Sequence, residues 1–147
     1  MLKKILYSLL FSSVALMALN TGDTIPKNIQ DKLKLESDKI YVVDFFASWC
    51  KSCKKELPLI TTVYNNKVVD VLGINVDKNR EDGEKMVEEL KLPFPIIYDT
   101  DKSLVEAFDP IGFPAVYYIK NNQVLNVIFG AVEEIDKKIA KDIKAIK

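Results

Sequence analysis

The chain has 147 residues, of which 48% are hydrophobic and 29% are charged, and its 21 basic residues balance its 21 acidic residues. This suits one folded domain, and the balanced charge gives no electrostatic reason to expect nucleic acid as a partner. The chain has no histidine and 2 cysteines, which excludes Ser-His-Asp and Cys-His catalytic sites and a zinc site built from cysteine alone. We therefore expect neither a cofactor nor a metal.

Residues 1–20 have the pattern of an export signal. Lysines near the start precede a mostly apolar run over residues 5–19, whose polar members are uncharged. This pattern is typical of a secretory signal peptide, and the run is short for a membrane span, which needs about 20 residues. Ala18 is the best-placed small residue for cleavage. We expect residues 1–20 to be a signal peptide or an N-terminal membrane anchor, with the domain at residues 21–147 in the periplasm or otherwise outside the cytoplasm.

The first half of the domain alternates between helical and strand patterns. A polar segment with apolar residues at helical spacing predicts a short helix over residues 27–36. Residues 40–46 are apolar on both faces, as in a buried central strand, and residues 50–65 have apolar side chains three and four apart, as in a helix. Pro58 lies inside this helix and should kink it. Residues 68–76 predict a second buried strand.

The second half continues with a helix, a short strand and another helix. These elements are predicted over residues 82–92, 95–98 and 101–108. Two apolar strands, residues 115–119 and 124–129, flank Asn121 and Asn122, a pair that favours a hairpin turn. The last helix is predicted over residues 132–146, because its apolar residues fall on one face and lysines crowd its end. A β-α-β half followed by a hairpin and a helix predicts an α/β fold with a mixed sheet.

The candidate reactive groups are Cys50 and Cys53, in the sequence Trp49-Cys50-Lys51-Ser52-Cys53 between a buried strand and a helix. Cys50 is predicted at the helix N-terminus, where unpaired amides favour a thiolate, and Lys51 adds positive charge. Cys53 lies one turn further along and is expected to be less exposed. Disulfide exchange needs an attacking and a resolving thiol in this order, so we expect Cys50 to be the nucleophile and Cys53 the resolving thiol.

Other uses of the two cysteines are weaker predictions. A purely structural disulfide closing so small a loop would stabilise little, because the entropy that it removes grows with loop length. Metal binding by the two thiolates alone is a further alternative. Haem attachment is excluded, because Lys54 stands where the C-x-x-C-H motif needs histidine.

The segment around these cysteines, residues 43–58, resembles the active-site segment of thioredoxin-fold proteins. The sequence K-K-E-L-P at residues 54–58 is similar to the extracytoplasmic TlpA/ResA/CcmG (DsbE) branch of that fold. The sequences G-I-N-V-D at residues 73–77, G-F-P at residues 112–114 and G-D-T-I-P at residues 22–26 resemble the same branch. The resemblance implies a thioredoxin fold, in which helices flank a mixed central sheet.

The resemblance also implies roles for particular residues. Pro114 matches the cis-proline that faces the disulfide, and Phe113 would offer backbone groups to an extended substrate. Trp49 matches the indole beside the thiols and is expected to contact substrate. Asp44 matches a buried carboxylate that accepts the proton of the resolving thiol, the alternative being a strand residue satisfied by backbone or water. Glu56 is expected on the solvated helix surface.

The function implied by the resemblance is thiol-disulfide exchange outside the cytoplasm. The expected enzyme reduces client protein disulfides, with apocytochrome c as one client, and a membrane electron donor keeps it reduced. One alternative is a disulfide oxidase or isomerase of the same fold, although the chain has no room for the inserted helical domain of DsbA-type oxidases. A non-catalytic thioredoxin-like binding module is the other. The residues alone do not set the direction, which depends on how strongly the folded protein stabilises the Cys50 thiolate.

Overall fold

The computed structural model describes residues 17–147. Most of the segment predicted to be a signal peptide or anchor lies outside the described residues, so that prediction stays a prediction. Within residues 17–147, no helix is both long and apolar enough to cross a membrane. The same residues contain no group of three or more cysteine, aspartate or glutamate side chains placed to hold a metal ion.

Helices and strands follow one another in the predicted order. The helices are α1 (Lys27–Leu33), α2 (Lys51–Asn65), α3 (Arg80–Glu89), α4 (Ser103–Phe108) and α5 (Ile135–Ile146). The strands are β1 (Tyr41–Phe46), β2 (Asp70–Asn75), β3 (Ile96–Tyr98), β4 (Ala115–Lys120) and β5 (Gln123–Phe129). All the elements expected from the sequence are present.

The strands form a mixed sheet in the order β3-β2-β1-β4-β5. β1 is parallel to β2, β2 is parallel to β3, and β4 is antiparallel to both β1 and β5. Phe45 pairs with Ala115 and Phe46 pairs with Asn75. The segments that follow β1 and β2 and the segment that precedes β4 therefore meet at one end of the sheet, which carries the candidate site.

Helices cover both faces of the sheet. Neighbouring residues of a strand face opposite sides, and β1 is buried at both kinds of position. Phe45 of β1 packs its ring against Phe108 of α4, with ring centroids 5.0 Å apart. Asp44, the preceding residue, lies on the other face, beneath α2. On that face the Tyr118 hydroxyl donates to the Asp142 carboxylate of α5 at 2.8 Å. α2 packs against α5, and α1 packs against α4.

Some element ends differ from the predicted ones. α1 ends early, because its C-terminal cap residue adopts a left-handed backbone conformation. α5 begins at Ile135, after Glu134 with a φ of 53°, so Val132 precedes the helix instead of starting its apolar face. The hairpin turn lies where it was predicted. Asn121 and Asn122 have φ values of 51° and 56°, the two positive values that a type I′ turn requires.

Candidate active site

Cys50 and Cys53 form a disulfide at the N-terminus of α2, with their Cα atoms 5.3 Å apart. Cys50 is the N-cap residue, and its Sγ accepts the backbone N–H of Cys53 at 3.2 Å. Unpaired amides at a helix N-terminus favour negative charge, so this position suits a thiolate. Cys50 is 6% exposed and Cys53 is fully buried. An incoming sulfur atom therefore reaches Cys50 first.

The residues predicted to contact substrate lie together beside the disulfide. Trp49 is 63% exposed and packs edge-on against Phe113, with ring centroids 5.6 Å apart. The peptide bond between Phe113 and Pro114 is cis, and Pro114 is buried immediately before β4. Ile111, which the sequence analysis did not single out, is 85% exposed in the same loop. Trp49 and Phe113 give an apolar surface next to Cys50, and Ile111 adds an exposed apolar side chain two residues before Phe113.

Asp44 lies fully buried in β1, and neither of its carboxylate oxygens has a hydrogen-bond partner. Its neighbour on β2 is Gly73, which brings no side chain that could donate or carry charge. Burial raises the pKa of Asp44 well above its usual value, and the nearby Glu56 carboxylate raises it further. The structure therefore places a carboxyl group that resists ionisation, without a hydrogen-bond partner, on the α2 face of the sheet.

Glu56 corrects one expectation from the sequence, since it is 4% exposed instead of solvated. Burial raises the pKa of Glu56 to about 7. The backbone N–H of Val132 opposes this shift, although it does not reach hydrogen-bonding geometry with either carboxylate oxygen. The sequence did contain a signal for this burial. Glu56 is three residues after Cys53 and four before Ile60, which places it on the buried face of α2.

The disulfide lies at the surface of the molecule and not in a large cavity. A cavity of about 720 Å³ lies at the other end of the sheet, lined by residues that include Tyr64, Asp70 and Lys120. Neither cysteine lines that cavity. A disulfide on an apolar surface can be reached by a sulfur atom of another polypeptide, which a deep pocket would exclude.

Comparison with known proteins agrees with this chemistry. A model of the AhpC/TSA family matches residues 17–128. The chain is 27% identical to the thiol-disulfide oxidoreductase ResA of Geobacillus kaustophilus, over 88% of this chain and 80% of the relative. It is 26% identical to ResA of Bacillus subtilis, over 63% of this chain and 54% of that relative.

A solved structure shows the fold. The crystal structure of a secreted disulfide oxidoreductase of Mycobacterium tuberculosis is similar to this chain with a TM-score of 0.66 and 19% identity. The similarity covers 88% of this chain and 96% of the other. The predicted thioredoxin fold is confirmed, and so is the resemblance to the ResA and DsbE proteins.

Proposed function

The chain belongs to the AhpC/TSA family and is a thiol-disulfide oxidoreductase, and we propose that it reduces protein disulfides outside the cytoplasm. The observation that carries the reducing direction is the pair of buried carboxyl groups without partners, Asp44 and Glu56. A disulfide is a strong oxidant when the reduced form of the pair, which carries a thiolate, is stabilised. These carboxyl groups supply no positive charge to stabilise a thiolate, and ionising them would add negative charge that opposes one. Both effects favour the disulfide and make the dithiol a better reductant.

The proposed reaction has two steps. The Cys50 thiolate attacks one sulfur of a client disulfide, so a mixed disulfide forms and the other client sulfur leaves as a thiolate. Cys53 then loses its proton and attacks Cys50 Sγ, which releases the second client thiolate and closes the Cys50–Cys53 disulfide. The dithiol has then given two electrons to the client, and a membrane electron donor would restore it.

Asp44 is the proposed acceptor of the Cys53 proton. Proton transfer is most effective when the pKa of the acceptor approaches that of the donor, and burial moves the pKa of Asp44 in that direction. Glu56 follows Cys53 by one helical turn and shares the environment of Asp44. Its raised pKa of about 7 makes it a second site at which the proton could be held.

The surface formed by Trp49, Ile111 and Phe113 is the proposed client-binding surface, and Pro114 shapes the loop that carries it. Its apolar side chains suit an extended polypeptide that presents a disulfide beside Cys50. Apocytochrome c is one candidate client, because its C-x-x-C-H cysteines must be reduced before haem is attached.

The proposed location rests on the basic and apolar pattern of residues 1–20. Mass spectrometry of the protein purified from membrane and soluble extracytoplasmic fractions tests it. A chain that begins near residue 19 in the soluble fraction supports a cleaved signal, and an intact N-terminus in the membrane fraction supports an anchor. An intact chain found only in the cytoplasm contradicts the proposed location.

The experiment that tests the direction is the reduction potential of the Cys50–Cys53 pair, equilibrated against dithiothreitol and against glutathione. We expect a value near or below about −250 mV, in the range of thioredoxin. A value near about −120 mV would overturn the reducing direction and favour a disulfide donor. The Cys53→Ser variant is the matched control, because it should retain attack by Cys50 but accumulate the mixed disulfide.

A further inference from the structure

The motif G-I-N-V-D ends in Asp77, a buried residue to which neither the disulfide chemistry nor the client surface assigns a role. We infer that Asp77 is a positioning residue: its carboxylate holds Ser48, two residues before the nucleophile, and so fixes Cys50 Sγ at the N-terminus of α2. This inference rests on the thiol-disulfide exchange of the proposed function but not on its direction.

Two of the three hydrogen bonds that the Asp77 carboxylate accepts come from the turn before Cys50. The backbone N–H of Ser48 donates to Asp77 Oδ2 at 2.9 Å, and the Ser48 hydroxyl donates to Oδ1 at 2.6 Å. The side-chain amide of Asn75 donates to Oδ2 at 2.7 Å. Asp77 is 3% exposed. A buried carboxylate with three donors forms strong hydrogen bonds and holds their owners in one geometry.

The side chain of Asn75 is itself held in place by the close approach of α3. A Cβ atom added to Gly83 would lie 2.2 Å from Asn75 Oδ1, so glycine is the residue that leaves room for this amide. The backbone N–H of Asp77 also donates to Asn75 Oδ1 at 3.3 Å. Asn75 is 1% exposed. The carboxylate of Asp77 is therefore supported by a buried amide that is itself held in place.

Position matters at Ser48 because little chain separates it from the reactive sulfur. The backbone N–H of Cys50 donates to the carbonyl of Ala47 at 3.1 Å, which closes a tight turn around Ser48 and Trp49. The exposed Trp49 gives this turn little packing of its own. If Asp77 released Ser48, the turn could relax, and Cys50 Sγ would move away from the amides that favour its thiolate.

The test measures the pH dependence of Cys50 alkylation by iodoacetamide in the reduced full chain. For Asp77→Ala we expect the midpoint to rise by about half a pH unit, since the Cys50 thiolate then loses part of the stabilisation that the helix N-terminus gives it. For Ser48→Ala we expect a smaller rise, because the backbone N–H of residue 48 can still reach Asp77. The rate of attack on glutathione disulfide at neutral pH should fall in the same order.

Asp99→Ala is the matched control. Asp99 is as buried as Asp77 and accepts the backbone N–H groups of Leu104 and Val105 at 3.1 and 2.8 Å, at the start of α4. Its loss should lower stability but leave the alkylation midpoint unchanged. Equal shifts in the Asp77 and Asp99 variants, or no shift in either, would overturn the inference.

Two further outcomes are separable. If Asp77→Ala does not fold, Ser48→Ala decides, and an unchanged midpoint in that variant overturns the inference. If the unmodified chain does not exchange with glutathione disulfide, it is the proposed function that fails, whereas the midpoint of alkylation still tests the positioning of Cys50.

Discussion

Asp44 lies in the strand that precedes the turn before Cys50, Asp77 accepts hydrogen bonds from that turn, and both side chains are buried. The carboxyl group of Asp44 has no hydrogen-bond partner, whereas that of Asp77 accepts three hydrogen bonds, two from Ser48 and one from Asn75. The contrast shows that burial alone does not define what a carboxyl group does. A buried carboxylate with donors is a fixed support, whereas one without donors resists ionisation and can take up a proton.

The difference follows from where each residue lies in the fold. Asp44 is inside the central strand, where the backbone amides are used by the neighbouring strands and Gly73 opposite contributes no side chain. Asp77 lies just beyond the end of β2, where the turn before Cys50 still has free donors.

The same substitution should have opposite effects at the two positions. Asp77→Val leaves the donors of Ser48 and Asn75 buried without an acceptor, and we expect the free energy of unfolding to fall by about 3–5 kcal/mol. Asp44→Val removes a buried acid without a partner, which the unfolded chain ionises more readily than the folded protein does, so stability at pH 8 should rise. Urea unfolding of the oxidised wild type and of the two variants at pH 8 measures both changes in stability. A loss of stability in both variants would contradict the contrast.

The pH dependence of stability tests the carboxyl groups that lack partners. The pKa of Glu56 is raised from 4.5 to about 7 by burial, so between these values the folded protein keeps a proton that the unfolded chain has lost. Stability should therefore fall as pH rises through this window, by up to about 3 kcal/mol. Asp44, whose pKa is also raised, acts in the same direction from pH 3.8 upward.

Glu56→Gln should flatten this fall between pH 4.5 and 7, because the side chain no longer titrates. Glu88→Gln is its control, since Glu88 is exposed on α3. Thermal or urea unfolding of the three proteins across this range gives the comparison. A wild-type stability that rises with pH over the window would contradict the burial of Glu56 as a free acid.

Periodicity and local motifs were enough to predict the elements, the mixed sheet and the place of the disulfide. The strand pattern of β1 and the C-x-x-C sequence after it put Cys50 at a helix N-terminus, which the structure shows. The prediction for Glu56 is wrong, because its spacing from Cys53 and Ile60 places it on the buried face of α2 despite its charge. The contact between Ser48 and Asp77 spans 29 residues. Such a contact depends on how β1 and β2 pair, and no local pattern contains that information.

The role of Asp44 in proton transfer predicts a defect in one step only. Asp44→Asn should leave attack by Cys50 nearly unchanged and slow the closure of the Cys50–Cys53 disulfide by about 100-fold, since general-base catalysis contributes about 10²–10⁴-fold. Acid quenching followed by mass spectrometry would show the mixed disulfide accumulating on a disulfide-bonded peptide. Asp70→Asn, at an exposed carboxylate in the next strand, should not accumulate it. Equal closure rates in all three proteins would remove Asp44 from the mechanism.

A substitution in α3, outside the site, should have the smallest effect on stability and tests whether Asn75 supports Asp77. Gly83→Ala would normally stabilise a helix by about 1 kcal/mol, but here the new Cβ would lie 2.2 Å from Asn75 Oδ1. The buried amide must shift, and overpacking costs about 1–3 kcal/mol, so we expect a net loss of about 1 kcal/mol. Glu88→Ala on the same helix should stay within about 0.5 kcal/mol of the wild type. If Gly83→Ala is more stable than the wild type, Asn75 yields freely and cannot brace Asp77. If it is less stable and its Cys50 alkylation midpoint also rises, the support extends from α3 through Asn75 and Asp77 to the nucleophile.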